Sequence, residues 1–250
     1  MPAPSKKKLT LSMVMALVFF GLLLAMFSPI FNGENALKAS DRLFNSISKG
    51  SSNYIPGLKT SAARLQGSPV ELTLHFVDGK AEGHEDVNVV GAEVAAKAAR
   101  VLGCAAQAEA RGESVVLSGD LGAILGAALA DAEAMFANRG GEVAARHGMD
   151  EREALFMWWK ALTAVDAELK RAGGKENVAR AKVVKSVITK GVEVGYNYYG
   201  IDPESAGSRA GILTFSLVFY VAYTLWWGMT IFYFFEGVGL AMTKGHKKES

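Results

Sequence analysis

The chain has 250 residues, half of them hydrophobic, with 27 basic and 25 acidic side chains, a net charge of +2 and a single cysteine. One cysteine excludes an intrachain disulfide and a CxxCH haem attachment. A charge balance this even does not suggest nucleic acid as a partner, for which a basic face would be the minimum.

Lys6, Lys7 and Lys8 precede a run from Leu9 to Phe27 that contains no charge. At about 1.5 Å per helical residue the run crosses roughly 30 Å of hydrocarbon, so residues 9–28 are predicted as a first transmembrane helix behind a short tail, 1–8. Met26 and Phe27 stand where a signal peptidase needs small residues, and the segment is read as an uncleaved signal anchor. Pro29 and Asn32-Gly33 break the helix. Ala36, Leu37, Ser40, Leu43, Phe44 and Ile47 then recur at three- and four-residue spacing, the signature of an amphipathic helix.

"SSNYIPG" and "QGSP" read as irregular sequence. In "VELTLHFV", Val70, Leu72, Leu74 and Phe76 alternate with Glu71, Thr73 and His75, which predicts a strand with one buried face. An alanine-rich helical run is expected from about Val89 to Arg111, followed by a second strand at Ser114 to Ser118 and a further helix from Gly119-Asp120. This order permits a small parallel βαβ unit. Cys104, in "VLGCAAQAEA", is expected to be a small buried apolar residue.

In "DEREALFMWWKALTAVDAELKRAGG" the apolar residues Leu155, Trp158, Trp159, Leu162, Val165 and Leu169 form a helical stripe. Acids stand at its start, basic residues at its end, and Gly173-Gly174 follow. A second stripe of Val178, Ala181, Val184, Ile188, Gly191 and Gly195 predicts an antiparallel αα-hairpin. Gly122-x-x-x-Gly126 and Gly191-x-x-x-Gly195 are small-residue spacings expected to serve close packing inside the domain.

A second uncharged run, Gly211 to Phe235, predicts another transmembrane helix, and residues 236–250 form a basic tail. Lysines flank both spans on their outer ends, so both termini are expected in the cytoplasm and residues 32–209 on the far side. The whole reads as an α-helical membrane protein in which two transmembrane helices flank a mostly helical α+β extracytoplasmic domain. The absence of disulfides and N-x-S/T sequons suits a multi-pass protein of a bacterial inner membrane with a periplasmic central domain.

The chain contains no phosphate-binding loop, nucleophile elbow, HExxH helix or EF-hand loop. The one cluster with metal-ligand chemistry is Glu82, His84, Glu85 and Asp86, with His75 on the strand before it. Its residues lack the His-His or Cys-His spacing of a defined coordination shell, so they read as a solvated loop, and neither metal nor cofactor is expected. Candidate interaction residues are aromatic: Tyr223, Trp226, Trp227 and Tyr233 in the second span, and Trp158 and Trp159. The last two point about 100° apart on one helix, so one fills the core while the other faces a neighbour, ligand or bilayer.

Glu236 is about 37 Å of helix beyond Gly211, which places it at the inner headgroups rather than in the hydrocarbon. The expected function is a non-enzymatic accessory or scaffold subunit. Its partners would be membrane lipid and other integral membrane proteins or copies of itself. The alternative is an extracytoplasmic ligand-binding or sensing module.

Overall fold

The computed structural model describes residues 4–76 and 86–240, the side chains of 86–90 excepted. In chain order the helices and strands are α1 (Lys6–Phe27), α2 (Ala36–Ser51), α3 (Ile55–Ala63), β1 (Pro69–His75), α4 (Asp86–Leu102), β2 (Gln107–Arg111), β3 (Ser114–Asp120), α5 (Leu121–Phe136), α6 (Gly140–His147), α7 (Glu151–Ala172) and α8 (Gly174–Val187). A π turn (Ile188–Val192), α9 (Glu193–Tyr198) and α10 (Ala210–Gly237) complete the chain. The fold is mostly helical with one three-stranded sheet, and it divides into two compact units. One comprises the two ends of the chain, up to Ser48 and from Pro203, and the other is Lys49–Asp202.

In the first unit, α1 and α10 are both long and apolar enough to cross a membrane. They pack antiparallel: the Lys8 ammonium donates to Glu236 Oε2 at 2.8 Å, the Trp226 indole N–H to the Met15 carbonyl at 3.1 Å, and the Tyr223 hydroxyl to the Phe19 carbonyl at 2.9 Å. The Phe19 and Tyr223 rings stack with centroids 4.1 Å apart, and Trp227 lies 4.5 Å from Phe19. Along α10 the less exposed residues include Ser216, Tyr223, Thr230 and Gly237, seven apart, with Phe219, Trp227 and Tyr233 between them, a spacing of three and four that keeps one seam against a neighbouring helix. At Gly237 the backbones come so close that a Cβ would stand 2.7 Å from Leu9 N.

In the second unit the sheet has the order β1-β3-β2 and is antiparallel throughout. The register pairs Val70 with Gly119 and Leu74 with Val115. Val70, Leu74, Val115 and Leu117 are buried, while Glu71, Thr73 and His75 face outward, as the alternation predicts. The parallel βαβ expectation is overturned. The helical run stops at Leu102, and Gln107–Arg111 is a strand joined to β3 by the two residues Gly112-Glu113. Gly112 has φ +58°, the positive φ that a type II′ hairpin needs at its first loop residue. Cys104, expected to be buried, is exposed beyond the end of α4.

Around the sheet, α4 packs on β2 and β3 and α7 on β1, while α5 is central to α3, α6, α7 and α9. Its residues Leu121, Ile124, Leu125, Ala128, Leu129, Ala132 and Met135 are all fully buried, and Asp120 caps it by accepting the Ala123 N–H at 2.7 Å. The segment read as irregular contains α3, started by Pro56 in its first turn, where the missing N–H costs nothing. The αα-hairpin forms as expected: α7 and α8 pack together across Gly173. Gly191 and Gly195 seat the π turn and α9 on α5. A Cβ on Gly191 would meet Leu129 Cδ2 at 2.8 Å, and one on Gly195 the Ala132 carbonyl oxygen at 2.6 Å.

Lys49, buried to 2 % exposure, donates to Asn138 Oδ1 at 3.0 Å, to the Tyr198 carbonyl at 3.1 Å and to the Ile201 carbonyl. Its pKa is lowered by burial, against a counteracting pull from Asp202. The two carbonyl acceptors belong to the C-terminal end of α9 and the loop beyond it, where carbonyls lack helical donors and a cation offsets the helix dipole.

Candidate functional site

Two helical segments far apart in sequence build a cavity of about 290 Å³ in the second unit. Leu155, Phe156 and Trp159 come from one and a half turns of α7. Val192, at the end of the π turn, and Glu193, Tyr196 and Asn197 of α9 come from the other side. The π turn widens the helix by one residue per turn, a feature frequent where a side chain has to be re-aimed at a site. Gly195, close against Ala132, sets the distance of that wall from the core.

The lining is apolar with two polar groups. Leu155 and Val192 are buried, whereas Phe156 is 42 % exposed. The Phe156 and Trp159 rings stack with centroids 5.9 Å apart and planes inclined by 6°. Glu193 Oε1 accepts the Trp159 indole N–H at 3.0 Å, and Asn197 adds an exposed amide. Cations ride on the surrounding rings: Lys160 Nζ lies 5.5 Å from the Phe156 centroid, and the Arg152 guanidinium 5.5 Å from Tyr196 and 5.1 Å from Tyr199. The Tyr199 hydroxyl donates to Glu151 at 2.9 Å, and that hydrogen bond, followed by burial, raises the phenol's pKa. The cavity offers stacking surfaces and hydrogen-bond acceptors, which suits binding; it holds no nucleophile beside a base.

A second polar constellation gathers around a buried acid, with only its arginine reaching solvent. Asp131 on α5 is fully buried. Its Oδ2 accepts from Trp158 Nε1 at 2.7 Å and lies 2.6 Å from His147 Nε2, and its Oδ1 accepts from Arg146. An ionised carboxylate only accepts, so His147 presents Nε2–H to it. Three helices, α5, α6 and α7, are thereby tied at one buried acid whose oxygens are engaged by cation and ring donors. This is a structural node, with no room for a reacting group. Cys104 is exposed as a residue, but its thiol is partly buried where it donates to the Val101 carbonyl at 3.0 Å; that partial burial, and after it the Asp131 charge, raises the thiol pKa, which suppresses the nucleophilic thiolate.

No protein-family model, curated protein or solved structure matches this chain.

The sequence-derived candidates are distributed as follows. His75 is exposed on β1. Glu82, His84 and Glu85, and the side chain of Asp86, lie outside the described residues, and among the described residues no three metal-binding side chains converge. Trp158, taken as an interaction candidate, is fully buried on Asp131 and has no surface to offer a partner; Trp159 lines the cavity. Tyr223 and Trp227 are turned onto Phe19 of α1, so their rings serve the helix pair. Tyr233 is half-buried beside Phe232, with centroids 5.7 Å apart. Trp226 remains 39 % exposed, together with Phe215, Tyr220, Phe232, Phe234 and Phe235. Glu236 is paired with Lys8.

Asp131 and Glu193 are the functional-looking residues that sequence reading missed. Asp131 carried a signal: it falls on the stripe Ile124, Ala128, Asp131, Met135, a core face where an acid needs partners. Glu193 carried none, because its relation to Trp159 arises only when α9 folds back on α7.

Proposed function

We propose that the chain is a non-enzymatic integral membrane subunit of a bacterial inner membrane. In this reading α1 and α10 span the bilayer as a hairpin, both termini are cytoplasmic, and the Lys49–Asp202 unit works in the periplasm as a docking or scaffold domain. The observation that carries the proposal is the aromatic surface left on α10 once α1 has taken its seam. Phe215, Tyr220, Phe232, Phe234 and Phe235 all remain exposed around the helix, and Trp226 keeps 39 % exposure beside its bond to Met15, aromatic surface for neighbouring helices or lipid. The Lys8–Glu236 pair supports the hairpin placement, because it brings the start of α1 and the end of α10 together beside the basic tails. An acid held there by a lysine fits an inner membrane boundary better than a proton-carrying site at depth.

The test is purification of the full chain in mild detergent, with its mass measured alone and after Tyr220→Ala/Phe232→Ala. The expected result is a co-purifying membrane protein or a self-assembled oligomer, diminished in the double variant. A bare monomer in every preparation would sink the proposal.

The cavity between α7 and α9 favours a second reading, a ligand-binding or sensing module on the same anchor. A pocket of near ligand size, lined by aromatic rings and a few convergent polar groups, is the usual form of a small-molecule site. A ligand for it raises the unfolding temperature of the full chain in a concentration-dependent way.

A further inference from the structure

The lining of the α7–α9 cavity narrows the chemistry of what it takes, and this step rests on the ligand-binding reading above. Three of its seven lining residues are aromatic, and two of these, Phe156 and Trp159, lie almost parallel. A lining rich in aromatic rings favours a planar π system over a saturated one of the same size, because offset stacking adds to plain burial. The volume of about 290 Å³ is at the small end for a binding pocket and suits a single substituted ring.

The polar groups define the ligand's edge. A carboxylate has about four acceptor sites and no donor, and the Trp159 indole N–H engages Glu193 at Oε1 only. Oε2 is therefore oriented by an already anchored carboxylate, with its side chain held on a rigid helical wall. Asn197 also lines the cavity and carries an amide carbonyl that can accept. A group that brings N–H donors to this corner gains charge-assisted hydrogen bonds; an anionic group without donors meets Glu193 as a like charge there, the Lys160 and Arg152 cations being placed over the Phe156 and Tyr196 rings instead. Burying a carboxylate edge against a ligand that lacks a donor leaves that edge unsatisfied, and this mismatch discriminates more strongly than a matched bond attracts.

We infer that the cavity lined by Phe156, Trp159, Tyr196 and Glu193 is a binding site for a small planar aromatic ligand carrying N–H donors. The ring packs among Phe156, Trp159 and Tyr196, and the N–H groups face Glu193 and Asn197.

Four near-isosteric probes test this on the full chain in detergent, by titration calorimetry against a micelle blank. Benzamide is neutral with N–H donors, benzamidinium is cationic with N–H donors, benzoate is anionic without donors, and cyclohexanecarboxamide keeps the donors without the ring. Benzamide or benzamidinium is expected to bind at least tenfold more tightly than benzoate and several-fold more tightly than cyclohexanecarboxamide, a hydrogen bond to a charged group being worth roughly a factor of ten. Phe156→Ala is expected to weaken benzamide several-fold while weakening cyclohexanecarboxamide much less. Glu193→Gln is expected to remove most of the benzamidinium affinity. Benzoate or the saturated amide binding as well as benzamide overturns the assignment of ligand class while leaving a ligand site in place. Failure of all four probes to bind overturns the class and the ligand-binding reading together, as does binding that Phe156→Ala and Glu193→Gln leave untouched.

Discussion

Exchanging a glycine for alanine at position 191 or position 195 adds the same methyl group to the same wall of the cavity, yet the two changes should differ in cost. At Gly195 the new Cβ would stand 2.6 Å from the Ala132 carbonyl oxygen, 3.0 Å from its Cα and 3.2 Å from its carbonyl carbon. All three are backbone atoms of α5, so relief requires α9 to lift from the core. At Gly191 the closest atom is Leu129 Cδ2 at 2.8 Å, with Leu58 Cδ1 at 3.3 Å, and both are ends of side chains that can rotate. Alanine gains roughly 1 kcal/mol of helix propensity in either place, so propensity cancels in the comparison. Overpacking costs about 1–3 kcal/mol, with the rigid contact at the upper end. Gly195→Ala is thus expected to be less stable than Gly191→Ala by about 2 kcal/mol, or roughly 4–8 °C in unfolding temperature for a domain of this size. Thermal unfolding followed by far-ultraviolet circular dichroism on the full chain measures it. Equal midpoints, or a Gly195→Ala variant more stable than the parent, would refute the close approach of α9 to α5 and the rigidity of the cavity wall built on it.

Asp131→Ala leaves the buried Trp158 and His147 donors and the Arg146 charge without their acceptor, and is expected to cost about 3–5 kcal/mol, read as loss of folded yield or a large fall in denaturant midpoint; near-parental stability would contradict the node. The Lys8–Glu236 pair is partly exposed, at 45 % and 27 %, so Glu236→Gln is expected to change stability by less than about 1 kcal/mol and to leave assembly intact; abolished assembly with unchanged folding would restore a functional acid there. Lys97 donates to Glu93, and this hydrogen bond lowers the Glu93 pKa from its ordinary 4.5. A depressed carboxyl stabilises above its unfolded pKa, and the contribution is lost as pH falls through the lower folded value. Lys97→Met is accordingly expected to flatten the acid side of the stability–pH curve below about pH 5; an unchanged slope would remove the linkage. The raised Cys104 pKa predicts alkylation by iodoacetamide at pH 7.5 several-fold slower than for a free thiol of ordinary pKa near 8.5, and faster labelling would contradict the raised value.

What could be read from the sequence follows from which signals are local. The charge-free runs, the alternation around Leu74, the α7 stripe and the glycine stop at Gly173 are fixed by neighbours within a few residues, and each appears where its pattern lies. β2 was illegible because an outer strand buries almost nothing: Gln107–Arg111 has one half-buried residue, so no alternation betrays it, and its alanines read as helix. The hairpin turn at Gly112 was the available clue, since two residues between strands enforce an antiparallel partner. The aromatic residues of α10 could be seen but not sorted, because only the presence of α1 decides that Tyr223 and Trp227 turn inward and Tyr220 outward. The cavity depends on α9 returning to α7 some 35 residues later, a relation that periodicity does not encode.

The sheet described above ends, on each side, in a strand that discourages company. β1 carries Glu71 and His75 among its outward residues, and β2 carries Glu109 and Arg111, bonded to each other at 2.8 Å. Charged side chains on short outer strands make poor templates for a further strand. Proteins confined to a bilayer meet one another at high local concentration, where an open backbone edge invites irreversible pairing. Here both outer strands are guarded by charge, so the membrane anchoring proposed above would bring chains together without exposing an edge that stitches one sheet to the next.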